Sequence, residues 1–276
     1  MSRPGEPADE LAAARSVLLD ALEALHAHLD AVILIGAQAI YLHTGGAKVA
    51  LAETTKDSDL ALDARRLAAT PLLEQAMREA SFHLSENSPQ PGSWLGRGDL
   101  PVDLMVPEAL AGAGGRRGAR IPPHSKRATR RARGLEAAII DHSPMRIESL
   151  TPHDRRMCTV NVAGPAALLV AKLHKIGERR GTPDRLIDKD AHDLYRLLVA
   201  TRTDVLAGGL QQLQGDPLAG EVTSQAVVFL AELFAAGPAA LGCTMAGRAE
   251  EGIGDPAVVA GSATALAQDL ILAVNS

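Results

Sequence analysis

The sequence predicts an α/β (α+β) protein in which a small mixed sheet flanked by helices is followed by a C-terminal helical bundle. Three observations carry that expectation. Short apolar runs of strand length, bounded by turn residues and beginning with Val32-Ile33-Leu34-Ile35-Gly36, recur as far as Ser149. From Pro165 the character changes to Ala/Leu-rich stretches at helical spacing with no strand alternation. At 276 residues, 46% of them hydrophobic, the chain is long enough to bury a sizeable core in one large or two modest domains. The expected division is a core domain over residues 1–162 and a helical domain over 163–276.

The elements follow in order. Leu11, Leu18, Leu22, Leu25 and Leu29 form the stripe of a helix that packs on the sheet. The strand ending at Gly36 leads into a short helix through Tyr41 and a Gly-rich loop, Thr44-Gly45-Gly46. A strand through Asp57 and Asp59 comes next, then a helix over 64–80 and short strands at 82–84, 94–96 and 102–106. Glu136–Ile140 and Met145–Ser149 read as a hairpin around Asp141-His142-Ser143-Pro144. Gly164-Pro165 opens a helix that is apolar as far as Lys172, and Thr182 with Pro183 and Asp184 marks the start of another, with Thr182 as N-cap. Residues 204–213, 217–234 and 256–274 supply the bundle.

The candidate chemistry lies on these elements. In a strand alternate side chains share a face, so Asp57 and Asp59 point one way while Leu60 and Leu62 turn to the core. Carboxylates so placed make a hard-oxygen site suited to magnesium and phosphate oxygens, although a D-x-D pair alone is also an ordinary solvated turn. Asp103, in the middle of the apolar strand Leu100–Val106, is costly to bury without a partner, which a metal would supply. Asp190 sits inside the apolar stripe of its helix with Ile187, Leu194 and Leu197. Lys172 is embedded among Leu168 and Leu169; it either snorkels outward, or pairs with Asp190 or reaches nucleotide phosphates. Asp193 reads equally as a surface partner of Lys189 and as a functional group. His192 is expected to be exposed, and no histidine is given a catalytic role.

Taken in order, Gly36-Ala37-Gln38, Thr55-Lys56-Asp57-Ser58-Asp59, Asp103, the lysine helix Ala166–Leu173 and Lys189–Leu197 resemble the nucleotidyltransferase superfamily of DNA polymerase beta, and more closely its AbiEii-type branch, which includes the MenT toxins. The resemblance spans residues from about 32 to 198. It implies a nucleotidyltransferase sheet whose Asp57, Asp59 and Asp103 hold two magnesium ions, with Gly36, Gln38, Thr55, Lys172 and Asp193 contacting NTP and with Lys172 and Asp190 in the active site. The implied reaction moves a nucleoside monophosphate from an NTP to the 3′ end of tRNA, which would stop translation and make the protein a toxin with a separate antitoxin protein. Ala37-Gln38 stands where the family usually has Gly-Ser, so phosphate binding by that loop is lost or falls to Gln38 and backbone N–H groups. A small-molecule nucleotidyltransferase of the antibiotic-modifying type and a non-catalytic nucleotide- or partner-binding member remain as alternatives.

Charge and composition set bounds. The net charge is −5, so no global field draws the chain to nucleic acid. Yet residues 116–133 carry Arg116, Arg117, Arg120, Lys126, Arg127, Arg130, Arg131 and Arg133 with no acid. That segment reads equally as a tRNA-backbone contact and as a solvated Gly/Pro-rich loop. Aromatic residues make up 2% of the chain, which disfavours a base-stacking single-strand grip. Cys158 and Cys243 suggest neither a zinc motif nor a disulfide framework. The polar, acidic first ten residues lack a signal-peptide pattern, and the longest candidate span, near Val227–Leu241, is interrupted by Glu232, Gly237 and Pro238. The expectation is a cytoplasmic protein with no membrane partner.

Overall fold

The chain begins its described course with α1 (Pro7–Ala24), whose apolar stripe buries Leu18 and Leu22, and a 3₁₀ segment, His26–Ala31, that delivers it into β1 (Val32–Ile35). The computed structural model describes residues 7–45, 56–84, 90–114 and 117–276. Gly36 turns the chain from β1 directly into α2 (Gly36–Thr44). After β2 (Ser58–Leu62) come α3 (Leu73–Glu79), β3 (His83–Leu84), β4 (Ser93–Leu95), β5 (Pro101–Pro107) and β6 (Arg130–Ala132). Then follow α4 (Glu136–Ile140), β7 (His142–Glu148) and β8 (Met157–Ala163). The strands make one mixed eight-stranded sheet in the order β3-β4-β5-β2-β1-β8-β7, with β6 pairing β5 off that path.

Register decides which side chains share a face. β1 and β2 are antiparallel, with Ile35 opposite Asp59, and β2 and β5 are parallel, with Asp59 beside Asp103 and Leu60 beside Leu104. Leu60, Leu62, Val102, Leu104 and Val106 are buried on one face, as their alternation predicts. Two expected elements differ. Glu136–Ile140 is a helix, and the hairpin is instead β7 with β8, from His142↔Ala163 to Glu148↔Met157. A short run buried all round carries no period to separate strand from helix, and the Glu136 carboxylate fastens this one by accepting from the N–H groups of Gly134 and Ala109. The helix expected over 64–80 shortens to α3, because Pro71 breaks any helix that continues through it.

The chain forms two compact units, Met1–Ala39 with Thr54–Ala163, and Ile40–Glu53 with Gly164–Ser276. The described residues Ile40–Gly45 belong to the second unit. That unit is helical: α5 (Pro165–Gly177), α6 (Asp188–Ala200), α7 (Thr203–Gln214), α8 (Gly220–Leu230) running on into a π-helical turn at Ala231–Ala235, α9 (Leu241–Arg248) and α10 (Pro256–Val274). The helix expected from Thr182 begins instead at Asp188. Pro183–Arg185 makes only a 3₁₀ turn, Leu186 and Ile187 are extended, and Asp188 and Asp190 place negative charge in the first turn of α6. α10 starts cleanly, with the Asp255 side chain accepting from the N–H groups of Ala257 and Val258 and Pro256 in the first turn. No uninterrupted segment of membrane-spanning length was expected, yet α10 is long and apolar enough to cross a membrane by length and composition alone. Here its inward residues Val259, Ala263, Ala267 and Leu270 are buried and it packs on α7 and α9.

Candidate functional site

In the first unit the acidic site is built by sheet register. Asp59 and Asp103 are direct partners on adjacent parallel strands, so both carboxylates leave the same face about 4.8 Å apart at the backbone. Gly36 makes room for Asp59. It has φ +69°, and a Cβ there would lie 2.1 Å from Asp59 Oδ2, so both the backbone conformation and the carboxylate demand glycine. Because α2 starts at this glycine, Asp59 stands at the positive end of a helix, where its charge is favoured. Asp103 is mostly buried. Its Oδ2 accepts from Arg130 Nη2 at 2.7 Å, while its Oδ1 is buried with no hydrogen-bond partner.

Asp57 does not share the strand. The last rung of β2 with β1 is Ile35–Asp59, since the chain leaves β1 at Gly36, and Asp57 precedes β2 as an exposed residue. Among the described residues no group of three or more His, Cys, Asp or Glu side chains is placed to hold a metal ion. The expected triad is thus a register-locked pair, Asp59 and Asp103, with Asp57 at the strand's entrance. The pair still suits a hard divalent cation: its donors are carboxylate oxygens, one of them is an orphaned buried acceptor, and the cradle beside it is kept open by glycine. Gln38, expected at phosphate, is 1% exposed and committed within the protein, its Oε1 accepting from Arg15 Nε at 2.8 Å and its Nε2 donating to Ser58 Oγ at 2.7 Å. Thr55, Gly46 and Arg116 lie outside the described residues.

The basic segment folds onto the sheet more than its composition suggests. Arg130 belongs to β6 and reaches Asp103, Arg131 donates to the carbonyls of Ala111 and Gly112, and Thr129 is buried. Arg117, Arg120, Lys126 and Arg127 are exposed.

The second unit holds a separate charged cluster. Lys172 Nζ donates to Asp190 Oδ1 at 2.7 Å and to Asp193 Oδ2 at 2.8 Å, and all three side chains are at least nine-tenths buried. Lys175 adds a contact of 2.9 Å to Asp190, and Lys189 one of 3.1 Å to Asp193. Burial opposes the Lys172 charge, but Asp190 and Asp193 outweigh it and hold its pKa above the usual 10.5. Burial likewise opposes the carboxylates, yet the lysines hold Asp190 and Asp193 below the usual 3.8. Lys189 and Arg196 also lie 5.3 and 5.6 Å from the Tyr41 ring centre, in cation–π range. The expected Lys172–Asp190 pairing is therefore present. The Lys189–Asp193 pair is present too, but buried rather than on the surface. His192 is a correction: expected exposed, it is 1% exposed with its Nε2 2.8 Å from Glu250 Oε1, because α5, α9 and α10 all pack on α6.

Two participants escaped the sequence reading. Arg15 had a signal, since it lies four residues after Leu11 on the apolar stripe of α1, where a charge needs a partner. Arg130 had none that set it apart from its basic neighbours. Comparison with protein-family models, with curated proteins and with solved structures finds no match for this chain.

Proposed function

We propose that this protein is a metal-dependent nucleotidyltransferase that moves a nucleoside monophosphate from an NTP to an RNA hydroxyl, taken from the resemblance to be a tRNA 3′ end, and that it acts in the cytoplasm as the toxin of a toxin–antitoxin pair. One observation carries the reading: Asp59 and Asp103 stand side by side in parallel register, against a glycine that opens a helix, and Asp103 Oδ1 is buried without a partner. Magnesium bound there would supply Lewis-acid polarisation and neutralise charge on the transferring phosphoryl group. Asp59 and Asp103 would hold it, with Asp57 near at the head of the strand. Asp103 would sit beside the attacking hydroxyl and help its proton leave as pyrophosphate departs. The first N–H groups of α2, which lack intrahelical partners, suit phosphate oxygens in place of the missing serine. Arg117, Arg120, Lys126 and Arg127 would bind the RNA backbone by charge. The resemblance also assigns Lys172, Asp190 and Asp193 to the reaction. What supports this is a cluster in which three lysines, Lys172, Lys175 and Lys189, contact two carboxylates, one cation more than those carboxylates neutralise.

A non-catalytic, nucleotide- or partner-binding protein is the second reading, favoured by the Arg130–Asp103 ion pair and the commitment of Gln38 to Arg15 and Ser58. The two separate on incubating the protein with each α-labelled NTP, magnesium and total tRNA, with an aminoglycoside in a parallel reaction. Labelled RNA is expected from the native chain. Asp59→Asn should reduce it at least about a hundredfold, the scale on which loss of one preorganised charge-stabilising group acts. Label on the drug alone would move the proposal to small-molecule transfer. No transfer in any arm, or undiminished transfer by Asp59→Asn, would refute it.

A further inference from the structure

We propose that Arg130 is a resident counter-cation of the acidic site, competing with a divalent ion for Asp103 and so setting the ion concentration at which the site fills. The inference rests on the reading of Asp59 and Asp103 as a cation site. Arg130 Nη2 lies 2.7 Å from Asp103 Oδ2, with 21% and 14% of the two side chains exposed. That contact occupies one carboxylate oxygen and leaves the other, Oδ1, buried and unsatisfied. A guanidinium built to neutralise a carboxylate permanently would engage both oxygens through its fork. Here the same Nη2 turns instead to a weak acceptor, Met105 Sδ, at 3.0 Å.

The second unit shows what fully partnered carboxylates look like in this protein. Asp190 is met by Lys172 and Lys175, and Asp193 by Lys172 and Lys189, so each carboxylate has two cations. Asp103 is half-served by comparison. Exchange would not disturb the fold around Arg130, because its backbone is held independently of its side chain: it sits beside Met105 in the parallel β5–β6 pairing and bridges to Gly118 on the other side. With a fifth of its side chain already exposed, the guanidinium needs only rotamer changes to leave. A dication and a guanidinium cannot share Asp103 closely, since their mutual repulsion at a few ångströms is large in a partly buried site. Gain of one is loss of the other.

The test is manganese binding to the full chain, read from the electron paramagnetic resonance signal of the free ion, for the native protein, Arg130→Gln, Arg130→Lys, Asp59→Asn and Asp103→Asn. Arg130→Gln should bind manganese roughly tenfold more tightly, the factor that corresponds to losing one charge-assisted competitor. Arg130→Lys, which restores a cation, should return toward native affinity. A purely structural Arg130 would lower stability and leave manganese affinity unchanged or weaker, and that result overturns the inference. If Asp59→Asn and Asp103→Asn both bind manganese as well as the native chain, or no form binds it, the cation site itself falls and the inference with it. If Asp103→Asn loses binding while Arg130→Gln is unchanged, only the inference falls. Should Arg130→Gln fail to fold, the native protein decides: the Arg130 side-chain Nε–H resonance should shift during a magnesium titration with the midpoint of the binding isotherm, and a resonance that stays still refutes the exchange.

Discussion

Replacing Lys172 by methionine removes the one ammonium that contacts both Asp190 and Asp193 while keeping most of the side chain's apolar volume. Deleting one partner of a buried ion pair costs about 3–5 kcal/mol, because the remaining charge stays desolvated. Lys175, 2.9 Å from Asp190, and Lys189, 3.1 Å from Asp193, remain and offset part of the loss. The expected cost is therefore at the lower end, about 3 kcal/mol. It should be read from native-state hydrogen exchange of the α5 and α6 amides, together with urea unfolding. The deficit should also depend on pH. In the native chain the lysines hold both carboxylates below 3.8; without Lys172 burial raises them from those values, so the variant's deficit should be full above pH 3.8 and shrink as pH falls through the native folded values. Adding Asp190→Asn and Asp193→Asn to Lys172→Met should recover part of the loss. A cost below about 1 kcal/mol, the value for a surface pair, or a deficit flat with pH, would refute the claim that these charges are desolvated.

Native stability should be level above pH 3.8 as far as Asp190 and Asp193 are concerned, and should fall as pH drops through their lowered folded values. Lys172, whose pKa is raised, contributes fully below 10.5 and ceases to only as pH climbs through its higher folded value. Urea midpoints against pH check both limbs, and a decline beginning well above pH 4 with these residues neutralised by mutation as well would remove the assignment. Gly36→Ala should cost about 1–3 kcal/mol, since it places alanine at φ +69° with its Cβ 2.1 Å from Asp59 Oδ2, and should weaken manganese binding. Native stability and affinity in that variant would contradict the cradle described for Asp59. Glu250→Ala should cost about 1–3 kcal/mol by leaving buried His192 without its partner, whereas Glu250→Gln preserves a hydrogen bond and should lose less. Equal losses from thermal unfolding would show that the hydrogen bond contributes little.

Much of the scaffold was legible because its signals are local. Alternation in Leu60, Leu62, Val102 and Leu104 marks strands and their buried face, and the stripe of Leu18 and Leu22 marks a packed helix. Asp103 and the pair Lys172 and Asp190 were legible for a different reason: a charge inside an apolar pattern must find compensation, whatever the fold. Glu136–Ile140 was not, since a run buried on every side has no period, and the burial of His192 was not, since the polar side of α6 is covered by other helices.

From the residues alone came the class of fold, the change to helix near residue 164, and the acids and lysine that could not be left unpartnered. Tertiary structure decided the partners. Asp59 meets Asp103 rather than Asp57 because β2 joins its neighbours only from Ser58 and lies parallel to β5, and Asp103 meets Arg130, out of a whole run of basic residues, because β6 aligns Arg130 with Met105. Such pairings depend on register between distant segments, where a slip of one residue sends every side chain to the opposite face, and no local pattern records that choice.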